Sequence, residues 1–412
     1  MQLHQSSKGV EPMIEVEAAR AKIQQALAQQ KKVEIVSILE AAGRVCAEDI
    51  YAQVAVPHFP RAGMDGYAII AKESEGASPE QPVTLQVIDA IFAGDSEPNV
   101  KNVCGSAVRI MTGAPIPKPY DAVIKQEWTD YGKTEVNIYR EIKAGRNYGV
   151  VGEDVTHNQK IFSKYQVINS RAVGILAAQG MKEISVLAPM KVGIIATGSE
   201  LISLETPLTS GKIYDSNLYT LASFIQSSGS KIIFKEHCSD DTVVISKIIR
   251  EQIETIDLLI TTGGVSVGEK DYVPQVIKDL GGKSLFHFVN MKPGTPIMAS
   301  TYQNKVILSL SGNPFAAVVN LHLFYWSALA DFMGCPELNL EKREVQLTED
   351  LKQSNIRRFI RAHEENGLVS LNATLHYSSV FHNTLDTNCL IDQPAKKTLK
   401  KGDSVTVYYW KS

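Results

Sequence analysis

Three loops between Leu258 and Pro314 concentrate the residue types that bind anions. The first, TTGGVSVGEKDYV, follows an apolar run and supplies Thr262, Gly263, Gly264, Ser266 and Gly268. Glycines reach backbone conformations closed to other residues, so successive N–H groups can close on an anion. The hydroxyls of Thr262 and Ser266 add further donors. The second loop, MKPGTP, brings the positive charge of Lys292. The third is Ser311-Gly312-Asn313-Pro314, again between an apolar run and a helix pattern. A GGxSxG turn by itself also serves as an ordinary strand-to-helix connection. Its company with Lys292 and the SGNP loop favours a small anionic ligand, because open α/β sheets bind ligands at the carboxyl ends of their strands.

Carboxylates crowd the same rim. Glu269 and Asp271 follow the glycine turn, Glu200 sits in TGSEL after another apolar run, and Asp240 and Asp241 follow KEHC. One residue of the doublet fits a helix N-cap, as does Asp215 or Ser216 before the next helix pattern. Mg²⁺ is commonly held by one or two carboxylates together with ligand phosphates. A second group of glycine loops lies earlier: RAGMDGYAI with Asp65, RIMTGAPIP with Thr112, and GRNYGVVGEDV with Asp154. Turn chemistry accounts for any one of them. Three together, with Glu127 and Arg146, point to a second binding surface, and small-ligand sites favour domain or subunit boundaries.

The elements that must position these residues read as follows. Residues 13–30 have the spacing of an amphipathic helix. VEIVSILEAAGRVCAEDIYA predicts a strand, a short helix ending at Gly43 and another strand. Residues 61–155 carry short β-rich runs separated by turns. Residues 190–332 alternate strand and helix patterns, which predicts βαβ units and a largely parallel sheet. Residues 335–412 return to short strands, as in a small barrel or sandwich. Within them, RRFIRA (357–362) suits a phosphate patch or, more simply, a solvated strand face.

At 412 residues the chain is too long for one ordinary core. A net charge of −3 gives no global basic footprint for nucleic acid. Cys46, Cys104, Cys238, Cys335 and Cys389 are scattered, without metal-ligand spacing. No signal-peptide pattern and no long apolar run is evident, so the expectation is a cytoplasmic protein without a membrane span. The nine histidines form no HxH or HExxH arrangement, and no Ser/His/Asp or Cys/His triad stands out.

MDGYA, MTGAPIP, GEDV, ATGSEL, IYDSN, GGVSVGEKDYV, MKPGTP and SGNP occur here in the order and spacing of the molybdopterin molybdenumtransferases. The chain resembles that family, which includes the E domain of gephyrin, from about residue 13 to its end. The resemblance implies a multidomain α/β-plus-β fold. Segments 13–57 and 156–188 would form an elongated domain, 58–155 a β-rich domain, 189–333 an α/β molybdopterin-binding domain, and 334–412 a C-terminal β-barrel. It implies a homodimer whose second domain faces the partner's third. It also implies a Mg²⁺-dependent reaction of adenylyl-molybdopterin with molybdate, giving molybdenum cofactor and AMP, with a molybdopterin adenylyltransferase as the expected partner.

Asp65, Thr112, Asp154, Glu200, Asp241 and Asp271 fall on family positions tied to activity, with Asp240 the close rival of Asp241. Glu200, Asp241 and Asp271 are the implied metal ligands. Lys292, the 262–268 turn and the Ser311–Pro314 loop would hold the pterin and its phosphate. The chain departs from the family pattern in four places. It has Gly63 for Ser, Thr295 for the second Lys of MKPGKP, Ser311 for Pro, and Tyr377-Ser378-Ser379 for a Gly-Ser-His stretch. Losing the lysine removes a charge that could recruit molybdate. Two other function classes suit the same motifs. A non-catalytic molybdopterin-binding scaffold would bind pterin without releasing AMP, and an adenylyl-making nucleotidyltransferase would consume ATP without molybdate.

Overall fold

The computed structural model describes residues 12–27, 31–96, 103–266, 268, 271–371 and 376–411. Glu269, one of the expected rim carboxylates, lies outside the described residues. The first helix, Val16–Ala26, buries Val16, Ala19 and Ile23 along one face. That face joins the core of the α/β body, and Arg20 Nε donates to the Leu323 carbonyl at 2.7 Å. The strand Val33–Ser37 pairs antiparallel with Glu183–Leu187, and Ile50–Tyr51 pairs with Lys160–Phe162. Two distant stretches of sequence therefore fold together around the excursion between them. Residues 38–43 were expected to be a short helix and are instead successive turns. So few residues gain too little from hydrogen bonding to offset helix nucleation, and Gly43 ends the stretch at φ +80°.

The excursion forms a five-stranded sheet in the order Ala122–Lys125, Gly66–Ile69, Ser106–Ile110, Val83–Ile91, Glu135–Ile138. A bridge between Thr129 and Ile138 curls it back on itself.

Residues 191–310 form a six-stranded sheet ordered Lys231–Cys238, Lys191–Thr197, Leu258–Thr262, Lys305–Leu310, Met298–Tyr302, Lys283–His287. The first four strands are parallel and the last two add an antiparallel edge. Leu258, Leu259 and Ile260 are all fully buried because helices cover both faces. Ile245, Ile249, Val273 and Val276 pack on one face, Leu218, Leu221 and Ile225 on the other. The parallel strands end together at Cys238, Thr197, Thr262 and Leu310, so the loops after them share one edge.

The segment Pro314–Met333 is continuously helical, with a π turn over Leu321–Tyr325. By length and composition alone it could cross a membrane, although Asn320, His322, Ser327 and Asp331 interrupt its apolar residues, in keeping with the expectation of no continuous long apolar run. However, 83% of its apolar window is buried inside the protein, so it is the central core helix.

The C-terminal strands close into a five-stranded barrel. Arg357–Glu365 pairs with both Leu368–Ser370 and Cys389–Gln393, and Lys342–Leu347 and Ser404–Tyr409 complete the ring. Closure removes exposed strand edges. Met291–Lys292 reaches out of the α/β body and pairs parallel with Arg357–Arg358, tying the two bodies together. RRFIRA is therefore not a solvated face. Phe359 and Arg361 are buried, since the α/β body covers this strand. The Arg361 guanidinium lies 3.5 Å from the Phe315 ring centroid and donates to the Tyr377 carbonyl at 2.7 Å. Arg357 grips Asp392 through two hydrogen bonds of 2.7 and 2.6 Å.

Candidate functional site

The common strand edge opens into a cleft of about 680 Å³. Its floor is the glycine turn. Gly263 and Gly264 have φ of +87° and +61°, and a Cβ on Gly263 would stand 2.2 Å from the Thr197 carbonyl. Only glycine lets this turn lie against the neighbouring strand tip. His287 Nε2 lies 2.8 Å from the Val265 carbonyl and braces the turn from behind. Thr262, Gly263, Gly264 and Ser266 line the cleft, and Ser311, Gly312, Asn313 and Pro314 form the adjoining wall. Gly268 acts through Asp271: its N–H donates to Asp271 Oδ2 at 2.6 Å.

The carboxylates divide by position. Glu200, Asp240 and Asp271 line the cleft, as does Asp215. Asp240 Oδ2 accepts from Ser199 N at 2.9 Å and Ser199 Oγ at 3.1 Å, which joins two neighbouring strand-end loops. Asp241 is the N-cap of the helix Thr242–Gln252, accepting from Val243 N and Val244 N at 2.8 and 3.2 Å, and does not line the cleft. Asp215 Oδ1 caps the following helix at Leu218 N, 3.0 Å away. Its other oxygen and the Thr197 hydroxyl are buried without a hydrogen-bond partner among the described residues. Burial pushes the Asp215 carboxyl above its ordinary pKa. Orphaned polar atoms at a cleft wall are costly unless a ligand or water pairs them.

A second cleft of about 680 Å³ adjoins the first and shares Pro296, Ser311 and Asn313 with it. It lies between the α/β body and the barrel, with Phe315 and Phe359 on its apolar wall. Lys292, Lys352 and Arg358 bring positive charge, against Glu349 and Asp350. Lys292 thus faces this second cleft. At the Thr295 departure the hydroxyl donates to the Met291 carbonyl, which holds the turn without adding charge.

Asp65, Thr112 and Asp154 line neither cleft within one chain. Asp65 Oδ1 accepts from Thr112 N at 2.7 Å and Thr112 Oγ1 at 2.6 Å. Those two bonds hold the exposed Asp65 carboxyl below its usual pKa. The three loops are stitched together: Gly113 N bonds the Ala62 carbonyl, Gly63 N bonds Asn147 O, and Asp154 N bonds Val56 O.

Comparison with known proteins places this geometry in a family. Residues 14–180 match the family model described as MoeA N-terminal region (domain I and II), and residues 193–331 match "probable molybdopterin binding domain". The molybdopterin molybdenumtransferase of Staphylococcus aureus (strain MSSA476) is 32% identical over 394 residues, covering 93% of each chain. That of Bacillus subtilis (strain 168) is 34% identical over 375 residues, 89% of this chain and 87% of the relative. The chain belongs to the molybdopterin molybdenumtransferase family. Its fold is also that of the crystal structure of the molybdopterin biosynthesis MoeA protein from Pyrococcus horikoshii OT3. That structure superposes with a TM-score of 0.82 at 28% identity, over 97% of this chain and all of the other.

Two residues of this family member's site escaped sequence reasoning. Asn217 Nδ2 donates to Thr262 Oγ1 at 3.1 Å and to the Gly312 carbonyl at 2.8 Å, clamping the glycine turn to the SGNP loop. Its place in IYDSN marked it only as a neighbour of a helix cap. Asn320 is fully buried in an otherwise apolar helix and bonds Ser311 N and the Gly294 carbonyl. An amide inside such a run was the available signal, since buried polar groups need specific partners.

Proposed function

We propose that this chain acts in the cytoplasm to insert molybdate into molybdopterin carried as its adenylate, releasing AMP. The observation that carries this reading is the pair of adjoining clefts of opposite character. The first offers backbone donors, hydroxyls and carboxylates, which suit a phosphate-bearing pterin held beside a cation. The second concentrates Lys292, Lys352 and Arg358, which suits a bare oxyanion. The shared Ser311 and Asn313 wall lets ligands in the two clefts meet.

The first cleft fits Mg²⁺ on the chemistry of its donors. Among the described residues no group of three His, Cys, Asp or Glu is close enough to hold a metal alone. Glu200, Asp240 and Asp271 are oxygen donors, and one or two of them would share the ion with ligand phosphates. We place Asp240 in this role, because Asp241 is engaged as a helix cap. When bound, the ion polarises the phosphoryl oxygen and offsets phosphate charge. The carboxylates orient the attacking water and take its proton. Water oxygen bonds to the adenylyl phosphorus, the bridging P–O bond breaks, and AMP and the molybdopterin phosphate separate. At the dithiol, two Mo–S bonds form while one molybdate oxygen leaves as water with the two thiol protons. A separate adenylyltransferase supplies the adenylylated pterin.

The Asp65 surface completes the site from a second copy of the chain. Exposed Met64 adjoins Asp65 in the chain and exposed Val150 and Val151 precede Asp154, while exposed Ile213 and Tyr214 line the first cleft. Clustered exposed apolar residues beside functional loops mark contact surfaces. In a two-fold dimer such surfaces meet twice.

The test mixes two variants, Asp65→Asn and Asp271→Asn, each expected to release little AMP from adenylyl-molybdopterin with Mg²⁺ and molybdate. Random reassembly gives half mixed dimers with one intact site each, so activity recovers to about a quarter of wild type. No recovery from verified mixed dimers refutes the shared site. Pterin binding without AMP release by the wild type refutes the enzymatic reading.

A further inference from the structure

The wall between the two clefts is wired by side-chain amides. Asn320 Nδ2 donates to the Gly294 carbonyl at 3.0 Å, and Gly294 belongs to the turn that carries Lys292 into the second cleft. Asn320 Oδ1 accepts from Ser311 N at 3.2 Å. The Ser311 carbonyl accepts from Thr262 Oγ1 at 3.1 Å, and Thr262 Oγ1 accepts from Asn217 Nδ2 at 3.1 Å. Hydrogen bonds thus link the floor of one cleft to the floor of the other, relayed through the backbone of Ser311, the residue they share.

We propose that Asn320 is a positioning residue that couples ligand occupancy in the two clefts. The proposal rests on the reading that the clefts hold two different ligands. Three features support it. Asn320 is fully buried and touches neither cleft, so it acts only through the turns it joins. Its packing against Gly294 is tight: a Cβ there would stand 2.3 Å from Asn320 Nδ2, so the turn and the amide move together. Ser311 is pinned through both of its flanking peptides, and the N–H that makes this possible exists because Ser stands where the family pattern has proline, which has none. A ligand that draws the Lys292 turn inward therefore shifts the Ser311 peptide and, through Thr262, the glycine turn. Coupling of this kind is a difference in affinity and is reciprocal.

The experiment uses the full chain with molybdate and AMP plus Mg²⁺ as probes, followed by calorimetry. In the wild type, saturating AMP changes molybdate affinity by about fivefold or more, and molybdate changes AMP affinity by the same factor. In Asn320→Ala both ligands still bind while that factor falls to about one. Asn320→Thr, which keeps a hydroxyl for Ser311 N but reaches less far, serves if alanine disturbs folding. Ser311→Pro breaks the same link from the other end and also abolishes the factor. A merely structural role would lower melting temperature and both affinities while preserving the ratio, and that result overturns the proposal. So does a wild-type factor of one. If molybdate binding is absent, or survives Lys292→Ala unchanged, the two-cleft reading itself fails and the coupling falls with it.

Discussion

Gly263→Ala tests the geometry at the heart of the site. The substitution has two separable costs. Gly263 sits at φ +87°, and an L-residue held in left-handed backbone loses about 1–2 kcal/mol. The new methyl would also stand 2.2 Å from the Thr197 carbonyl, where real contacts stay beyond 3.0 Å. The tips of two paired strands must then separate by most of an ångström, and forced overpacking of this kind costs about 1–3 kcal/mol more. Gly281→Ala isolates the first cost. Its φ is +82°, in the same α/β body, but a methyl there meets nothing within 4 Å. At about 2–4 °C per kcal/mol for a body of this size, thermal unfolding should place Gly263→Ala several degrees below Gly281→Ala. Gly263→Ala should also lose pterin affinity, whereas Gly281→Ala keeps it. Equal melting temperatures for the two variants would mean the turn does not lie against Thr197, and the account of the cleft floor would be wrong.

Three other outcomes follow from the same structure. Lys292→Ala should weaken molybdate binding by about 10–100-fold, the worth of a charge-assisted hydrogen bond. Thr295→Lys should strengthen it, both read by titration calorimetry. Thr112→Val removes the hydroxyl bond to Asp65, so the Asp65 carboxyl should titrate closer to its ordinary value by NMR, with slower AMP release and only a small loss of stability at neutral pH. The third concerns pH. Burial between Phe224 and Trp410 pushes His322 down to about 4 from 6.5. The unfolded chain therefore binds a proton that the folded chain refuses, and stability is lost as pH falls from about 6.5 to 4. His322→Leu should flatten the denaturant-midpoint profile across that window, and an unchanged slope would assign the acid sensitivity to other groups.

Which parts of this site were legible in the sequence follows from where each residue finds its partners. The glycine turn announced itself because its constraint is local: a strand ends, the backbone reverses, and only glycine fits beside the next strand. The alternation of apolar runs with helix patterns located the parallel strands for the same reason. The reversed strand Met298–Tyr302, antiparallel to both its neighbours, carries no separate signature, because strand direction depends on connection and not on side-chain spacing. Arg361 read as a solvent-facing charge. Its burial depends on Phe315 and the Tyr377 carbonyl, brought in by tertiary contact that no local pattern encodes. Asp240 and Asp241 show the boundary between the two cases. Either could cap the helix by local rules, and the choice is made by Ser199, forty-one residues away, whose N–H and hydroxyl both claim Asp240. Sequence marks the residues that a turn or strand end constrains by itself. The carboxylate that faces the cleft is selected by the neighbouring loop, and so becomes visible only when the strands are laid side by side.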